Sequence, residues 1–374
     1  MDVNNCSPFP HMVFEKATTR NRHFDVMVVA ATCDLVHGQL APISQTQRSI
    51  TCADRYAGHP RTSALLEETH LIVGKKRCDI HLLGHAYTQG CQAQQRWPVG
   101  VRVGNLVKTA TVTGPRHWQW SLRQGWHLSQ PEPVQQVALH MGMAYGGHTR
   151  RANYQGPASD DLHDDQAFDT YKPNPVGKGY LDPRALSRAQ VYPAAQIESL
   201  ENPIQDIRKR YQPVAFGPLP RWHPQRAKHA GTYDGQWRQA HAPYLPQDFD
   251  FAFYQSAQPD LIALGWLDGD EPLVLHGCLP EGRLETLLPG IRMLAVLTDA
   301  RGVSQSAALR LDTLNIHLDQ RQIQLIWRYA VPKDWQLAKL LLAAIPNSSR
   351  GHSQTRPVYY THHYSPKRQR GPHG

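Results

Sequence analysis

The sequence predicts a mainly β protein, built as two β-rich lobes with a long Pro/Gly loop region between them. Three observations carry this expectation. The chain has 374 residues, beyond the size at which a single hydrophobic core keeps growing, so two cores are expected. Its 29 Pro and 27 Gly are too many for a helical bundle and favour short strands joined by turns. Apolar–polar alternation also recurs toward both ends and lapses between. The expected division is a β-rich lobe at 1–148, a loop-rich connection at 149–260, a second β-rich lobe at 261–346 and a disordered tail at 347–374. Sandwich and barrel topologies both remain open.

Taken in order, Phe24, Val26 and Val28 alternate with Asp25, Met27 and Val29, which predicts a strand with at least one buried face. Residues 80–87 predict another, with Gly84 at a bulge or a close approach. Val99–Val103 and Leu106–Val112 flank Gly104-Asn105, a pair suited to a two-residue hairpin turn. Asp160, Asp161, Asp164, Asp165 and Asp169 then cluster in a loop. A short helix is expected around Ile204–Tyr211. Strands return after Leu261, and Leu309–Leu318 with Gln322–Arg328 forms a second hairpin. In it Leu314, Ile316 and Leu318 face Ile323, Leu325 and Trp327. Asp334–Ile345 is too densely apolar to choose between helix and strand. From Asn347 the composition cannot offset the entropy of ordering the chain.

The net charge of +9 is concentrated at the end of the chain. Arg350, Arg356, Lys367, Arg368 and Arg370 lie in a tail without acids, and removing those five leaves +4 for the body. A basic tail is a weaker nucleic-acid footprint than a basic stripe on a fold, so no specific nucleic-acid partner is expected. The six cysteines lack C-x-x-C spacing and read as free thiols in a reducing compartment. The N-terminus shows no basic leader followed by an apolar run. No apolar stretch approaches the roughly 20 residues that span a bilayer. A cytoplasmic protein without membrane insertion is expected.

Dinucleotide, P-loop, H-E-x-x-H and G-x-S-x-G signatures are all missing, so no catalytic residue, cofactor or metal site is assigned. The acidic run lacks the register of a calcium loop and reads as solvated, and His362-His363 is no better a metal site. The densest block runs from Trp222 to Asp250. Its candidate residues are Trp222, Arg226, Gly231, Thr232, Tyr233, Asp234, Trp237, Asp248 and Asp250. They read either as a structural loop or as a partner-binding surface. In the structural reading Gly231 allows an unusual turn and Asp234 accepts backbone N–H bonds. Arg226 then forks onto Asp248 or Asp250, and the two tryptophans bury the loop base. A hydrolase using Asp234, Asp248 or Asp250 with a nearby His is the rival. Trp97, Trp118, Trp120 and Trp126 form an aromatic group that reads as core before binding face.

Pro220-Arg-Trp-x-Pro-x-Arg226, Ala230-Gly-Thr-Tyr-Asp-x-x-Trp237 and Pro243-x-Leu-Pro-x-Asp-Phe-Asp250 together resemble the DUF2169 family. Further elements match in the same order. They are Lys75-x-x-x-Asp79 with Gly84 and Ala86, then Thr113-Gly-Pro-Arg116-x-Trp118, Ala144-Tyr-Gly146-Gly147 and Asn174-Pro-Val-Gly177. Leu311-Asp-Thr-Leu314 with Trp327-Arg328 closes the match. Tyr192-Pro-Ala-Ala-Gln stands where the family carries Leu-Pro-Asn-x-Glu. The resemblance implies a bacterial adaptor or chaperone associated with type VI secretion. Its expected partners are a secreted toxic effector and a spike component of the VgrG or PAAR type.

Overall fold

The computed structural model describes residues 1–19, 22–151, 154–157, 161–162 and 164–346. The basic tail at 347–374, with His362-His363, and Asp160 of the acidic run lie outside the described residues. The protein is mainly β, with two short α-helices among the described residues and no closed barrel.

Three sheets carry the fold. A central sheet orders the strands His11–Thr19, Arg22–Asp34, Gln322–Pro332, Arg310–His317 and Asp79–Leu83, with its last pair parallel. A second, antiparallel sheet orders Ile197–Glu198, Leu106–Thr113, Arg96–Val103, Pro272–His276 and Arg283–Leu287. A third orders Asp2–Asn5, Leu337–Pro346, Ile291–Asp299 and Ser304–Ala308. The segments 1–148 and 261–346 are both β-rich, but they do not stand apart as lobes. Their strands lie side by side in all three sheets. Met27, Val29 and Ala31 share one apolar core with Val99, Val101, Leu273, Leu275, Leu297 and Leu342. Long-range pairing therefore merges the two cores that chain length suggests.

Both hairpins form where the pattern places them. Val103 pairs Leu106 across Gly104-Asn105, and Gly104 alone takes the left-handed φ, at 57°. Leu314 pairs Leu325 and Ile316 pairs Ile323. Gly84 proves to be a close approach, since an added Cβ would lie 2.6 Å from the Asp319 carboxylate. There the chain leaves the central sheet, and His85–Tyr87 pairs instead with Gln136–Ala138. The ambiguous stretch resolves as a single 3-10 turn, Lys333–Trp335, followed by the strand Leu337–Pro346. No helix forms at 204–211. The Asp206 carboxylate accepts the Arg208 N–H at 2.9 Å, closing a local turn that competes with helical bonding.

The Pro/Gly region is a cover as well as a connection. Strand Arg310–His317 alternates from Leu314 onward, after a register shift between Leu311 and Thr313, yet its polar residues Asp312, Asn315 and His317 are as buried as its leucines. Loops that include Gln255–Gln258 pack on that polar face in place of water. The two Gly-rich elements meet under this cover. Tyr145–Gly146 pairs in parallel with Lys178–Gly179, and the Asn174 amide donates to the Met141 and Tyr145 carbonyls. Gly146 holds φ at +149°, and a Cβ there would sit 2.1 Å from the Asn174 carbonyl oxygen. Gly146→Ala should therefore lower stability by about 3 kcal/mol through strain and overpacking together. Urea unfolding checks this, and an unchanged midpoint would contradict the loop packing.

Candidate functional site

The central sheet places Asp79 and His81 beside Thr313 and Asn315 on its polar face. Into that face the chain inserts three cations and two further carboxylates. Lys75 Nζ lies 2.6 Å from Asp79 Oδ2 and 3.1 Å from Glu68 Oε2. Arg226 donates Nη2 to Glu68 Oε1 at 2.6 Å, Nη1 to the Leu219 carbonyl at 2.7 Å and Nε to the Phe253 carbonyl at 2.9 Å. Arg328 pairs with Asp312 and donates Nε to the His70 carbonyl at 2.9 Å. All six charged groups are buried, three of each sign. The cluster is thus neutral and internally paired, which is how buried charge is tolerated.

Electrostatics follow from this packing. Burial alone would raise the Glu68 carboxyl, but the Arg226 guanidinium and Lys75 ammonium outweigh it and hold the group well below the carboxylate range. Burial would likewise lower Lys75, and Asp79 and Glu68 together reverse that, raising it. His81 is lowered by burial and then by Lys75. His70 is likewise lowered, through burial and then Arg328.

One arrangement resembles a catalytic relay. Ser256 Oγ lies 3.2 Å from His81 Nε2, and His81 Nδ1 lies 2.9 Å from Asn315 Oδ1. Ser256 is completely buried, however, and its hydroxyl donates to Glu68 Oε2 at 2.6 Å. Its backbone N–H donates to Asp79 Oδ2 at 2.7 Å, locking the loop to the sheet. The adjoining cavity, lined by Glu68, His70, Lys75, His81, Asn315 and Arg328, measures about 10 Å³, room for about one water. Ser256 is not among the residues that line it.

The Trp222–Asp250 block divides in two. Its inner half is tied into the fold by hydrogen bonds. Arg226 forks onto Glu68 and two carbonyls, not onto Asp248 or Asp250 as the sequence suggests, because the nearer partner is 158 residues away in the chain. Trp222 donates Nε1 to the Pro60 carbonyl at 2.8 Å. The outer half lies at the surface. Asp248 accepts the Thr232 N–H at 2.9 Å and hydroxyl at 2.7 Å around Gly231, whose φ is +78°. Asp234 caps the helix Gly235–Ala240 by accepting the Trp237 N–H at 2.8 Å. Trp237 is half-buried rather than a sealed loop base, and the Tyr233 ring packs edge-on against it at 4.7 Å. Asp250 caps the turn Phe251–Tyr254 and pairs with Lys76 and His229. The carboxylates of Asp234, Asp248 and Asp250 thus serve separate local turns and do not converge on one pocket. Of the aromatic group, Trp97 and Trp118 are core, while Trp120 and Trp126 are half-buried.

Sequence reasoning missed Glu68, Ser256, His81 and Asn315. The last two sit on the polar phase of alternating strands, which reads as solvent-facing until the cover is known. Glu68 carries no local signal. Among the described residues no group of His, Cys, Asp and Glu forms a metal site, all six cysteines are free, and no helix is long and apolar enough to cross a membrane.

Elements quoted from distant parts of the chain therefore build one cluster: Lys75 and Asp79 from one, Arg226 from another, Asp312 and Arg328 from a third. No curated protein and no solved structure matches the chain. A family model described as an uncharacterized protein conserved in bacteria, DUF2169, matches residues 20–328 and so spans the cluster and its cover. The chain belongs to the DUF2169 family.

Proposed function

We propose that this protein is a non-enzymatic adaptor, binding a toxic effector in the cytoplasm and aiding its loading onto a type VI secretion spike. The observation that supports this most is the fate of the shared motif residues. Lys75, Asp79, Arg226, Asp312 and Arg328 are spent on a closed ionic cluster, which fixes a cover to a sheet and leaves the surface to do the work. Within the Trp222–Asp250 block the surface half offers the partner contact. Tyr233 is 50 % exposed and is braced by Trp237, a rigid aromatic of the kind that anchors interfaces.

The Ser256–His81–Asn315 alignment favours a second reading, a hydrolase whose cover opens to admit substrate. That reading needs Glu68 to release the Ser256 hydroxyl, and so the loss of one of the shortest bonds in the cluster.

The deciding experiment is affinity capture of the tagged chain from its own host, read by mass spectrometry, with and without the secretion genes. Recovery of one toxin-like protein together with a spike component is expected. Tyr233→Ala should reduce that recovery about tenfold at unchanged melting temperature. Recovery of neither protein, from cells shown to express both, would remove the adaptor reading.

A further inference from the structure

Two neighbouring strands of the third sheet break the alternation that a half-buried strand shows. Leu340-Leu-Leu-Ala-Ala-Ile345 and Met293-Leu-Ala-Val-Leu297 are continuous apolar runs, the pattern of strands covered on both faces. One face is covered, since Met293, Ala295, Leu297, Leu340 and Leu342 lie in the apolar core. On the opposite face Val296 is 36 % exposed, and Leu341 and Ile345 are each 38 % exposed. Register fixes how the outward residues lie. Asn4 pairs Leu341, Leu341 pairs Val296 and Val296 pairs Ser306, so these four form one row across the sheet, all of them exposed. Ala343, Leu294 and Ala308 form the next row, and Ile345 lies beside Arg292 in the row after it.

We infer that this face packs against the same face of a second copy of the chain, sheet on sheet across a two-fold axis. The two middle strands present Val296, Leu341 and Ile345, while Asn4 and Ser306 on the outer strands are polar, the layout of an interface core and its rim. A two-fold contact offers such a face a surface of its own shape and polarity. Charge agrees. At one end Asp2 pairs in register with Lys339; at the other Arg292 lies 3.4 Å from Asp268. An axis lying in the interface and running across the strands sets one end over the other, so the acid and cation of each copy meet a cation and an acid. A partner with strong charge of one sign gains nothing from ends that each carry both. Area sets the strength. The sheet has four strands; at about 4.8 Å spacing, two of them about 30 Å long and the others about half that, they project about 450 Å². Two copies then bury about 900 Å² or somewhat more, the small end of specific interfaces, so the dimer is expected to be micromolar.

The test is sedimentation velocity of the full chain from about 1 to about 200 μM, which should show a reversible monomer–dimer equilibrium. Leu341→Glu enters a two-fold interface twice and should weaken the dimer at least about tenfold. L341T/V296T keeps strand propensity and should weaken it by less, which preserves the test if the glutamate variant does not fold. Leu122→Glu, at a position 93 % exposed in the turn of another sheet, should leave it intact. Matching melting temperatures would establish that the variants fold. A chain that stays monomeric throughout, a dimer indifferent to both substitutions at this face, or an equal loss in Leu122→Glu would overturn the inference. A monomer that dimerises only once residues 347–374 are removed would overturn it in favour of that tail, which follows directly on the strand Leu337–Pro346.

Discussion

Arg226→Met should cost about 3–5 kcal/mol, the penalty for removing one partner of a buried ion pair. The side chain is 1 % exposed and satisfies three acceptors, so its loss strands the Leu219 and Phe253 carbonyls as well as the Glu68 carboxylate. A domain whose total stability is about 5–15 kcal/mol has little room for this. The companion Glu68→Gln should be costly alone, because it leaves Arg226 and Lys75 short of a counter-charge. Together the two substitutions should cost about 1–3 kcal/mol less than their sum, since the second removes a charge the first has orphaned. Urea unfolding of the four proteins gives that coupling directly. Additive losses, or an unchanged midpoint in Arg226→Met, would mean that the pair is not the buried unit described. The result also bears on function. Loss of a partner in an Arg226 variant reports the fold, so the contact has to be probed at Tyr233.

Local patterns in the chain were sufficient for the strands and insufficient for their arrangement. Gly104-Asn105 and the Leu314–Leu325 register could be read because a hairpin is specified by neighbours in sequence. The merging of both ends into three sheets could not. Thr313 beside Asp79, or Leu273 beside Val103, is a pairing across some 170 residues or more for which a single sequence holds no signal. The same limit hid the candidate site. Lys75 and Asp79 were visible as a spaced pair and Arg226 as a lone cation in a shaped loop, yet what joins them is Glu68. Alternation misleads in one further way. In Leu314-Asn-Ile-His-Leu318 it reports two chemically different faces, and water is only one of the things a polar face can meet.

That polar face should make the protein acid-labile from near neutral pH. Burial, and then the Arg48 guanidinium, pushes His317 down to about 3; burial, and then Lys178, pushes His140 down to about 4. A histidine depressed in the fold is neutral there and takes up a proton when the chain unfolds. The unfolded state then binds more protons, so stability rises with pH across the interval between the two pKa values. With an unfolded value of about 6.5, these two groups act between pH 6.5 and about 4 or 3. At pH 5 each costs about 2 kcal/mol relative to pH 8. His70 and His81, also buried and lowered, act with the same sign. Glu68, held below the carboxylate range, adds its loss only at lower pH, once the unfolded carboxyl begins to protonate. Unfolding free energy measured in urea should therefore fall steeply between pH 7 and 5, and His317→Gln should reduce the slope by about one proton. A flat profile across that interval would show that these imidazoles are not buried neutral. The order of events follows from position. His70 and His81 line the cavity beneath the cover, and His81 meets Ser256 there. Hydrogen exchange near pH 5.5 should accordingly speed up at Ser256 and Asp79–Leu83 before it does in Leu106–Thr113, because the seam between loop and sheet is where protons gain the most.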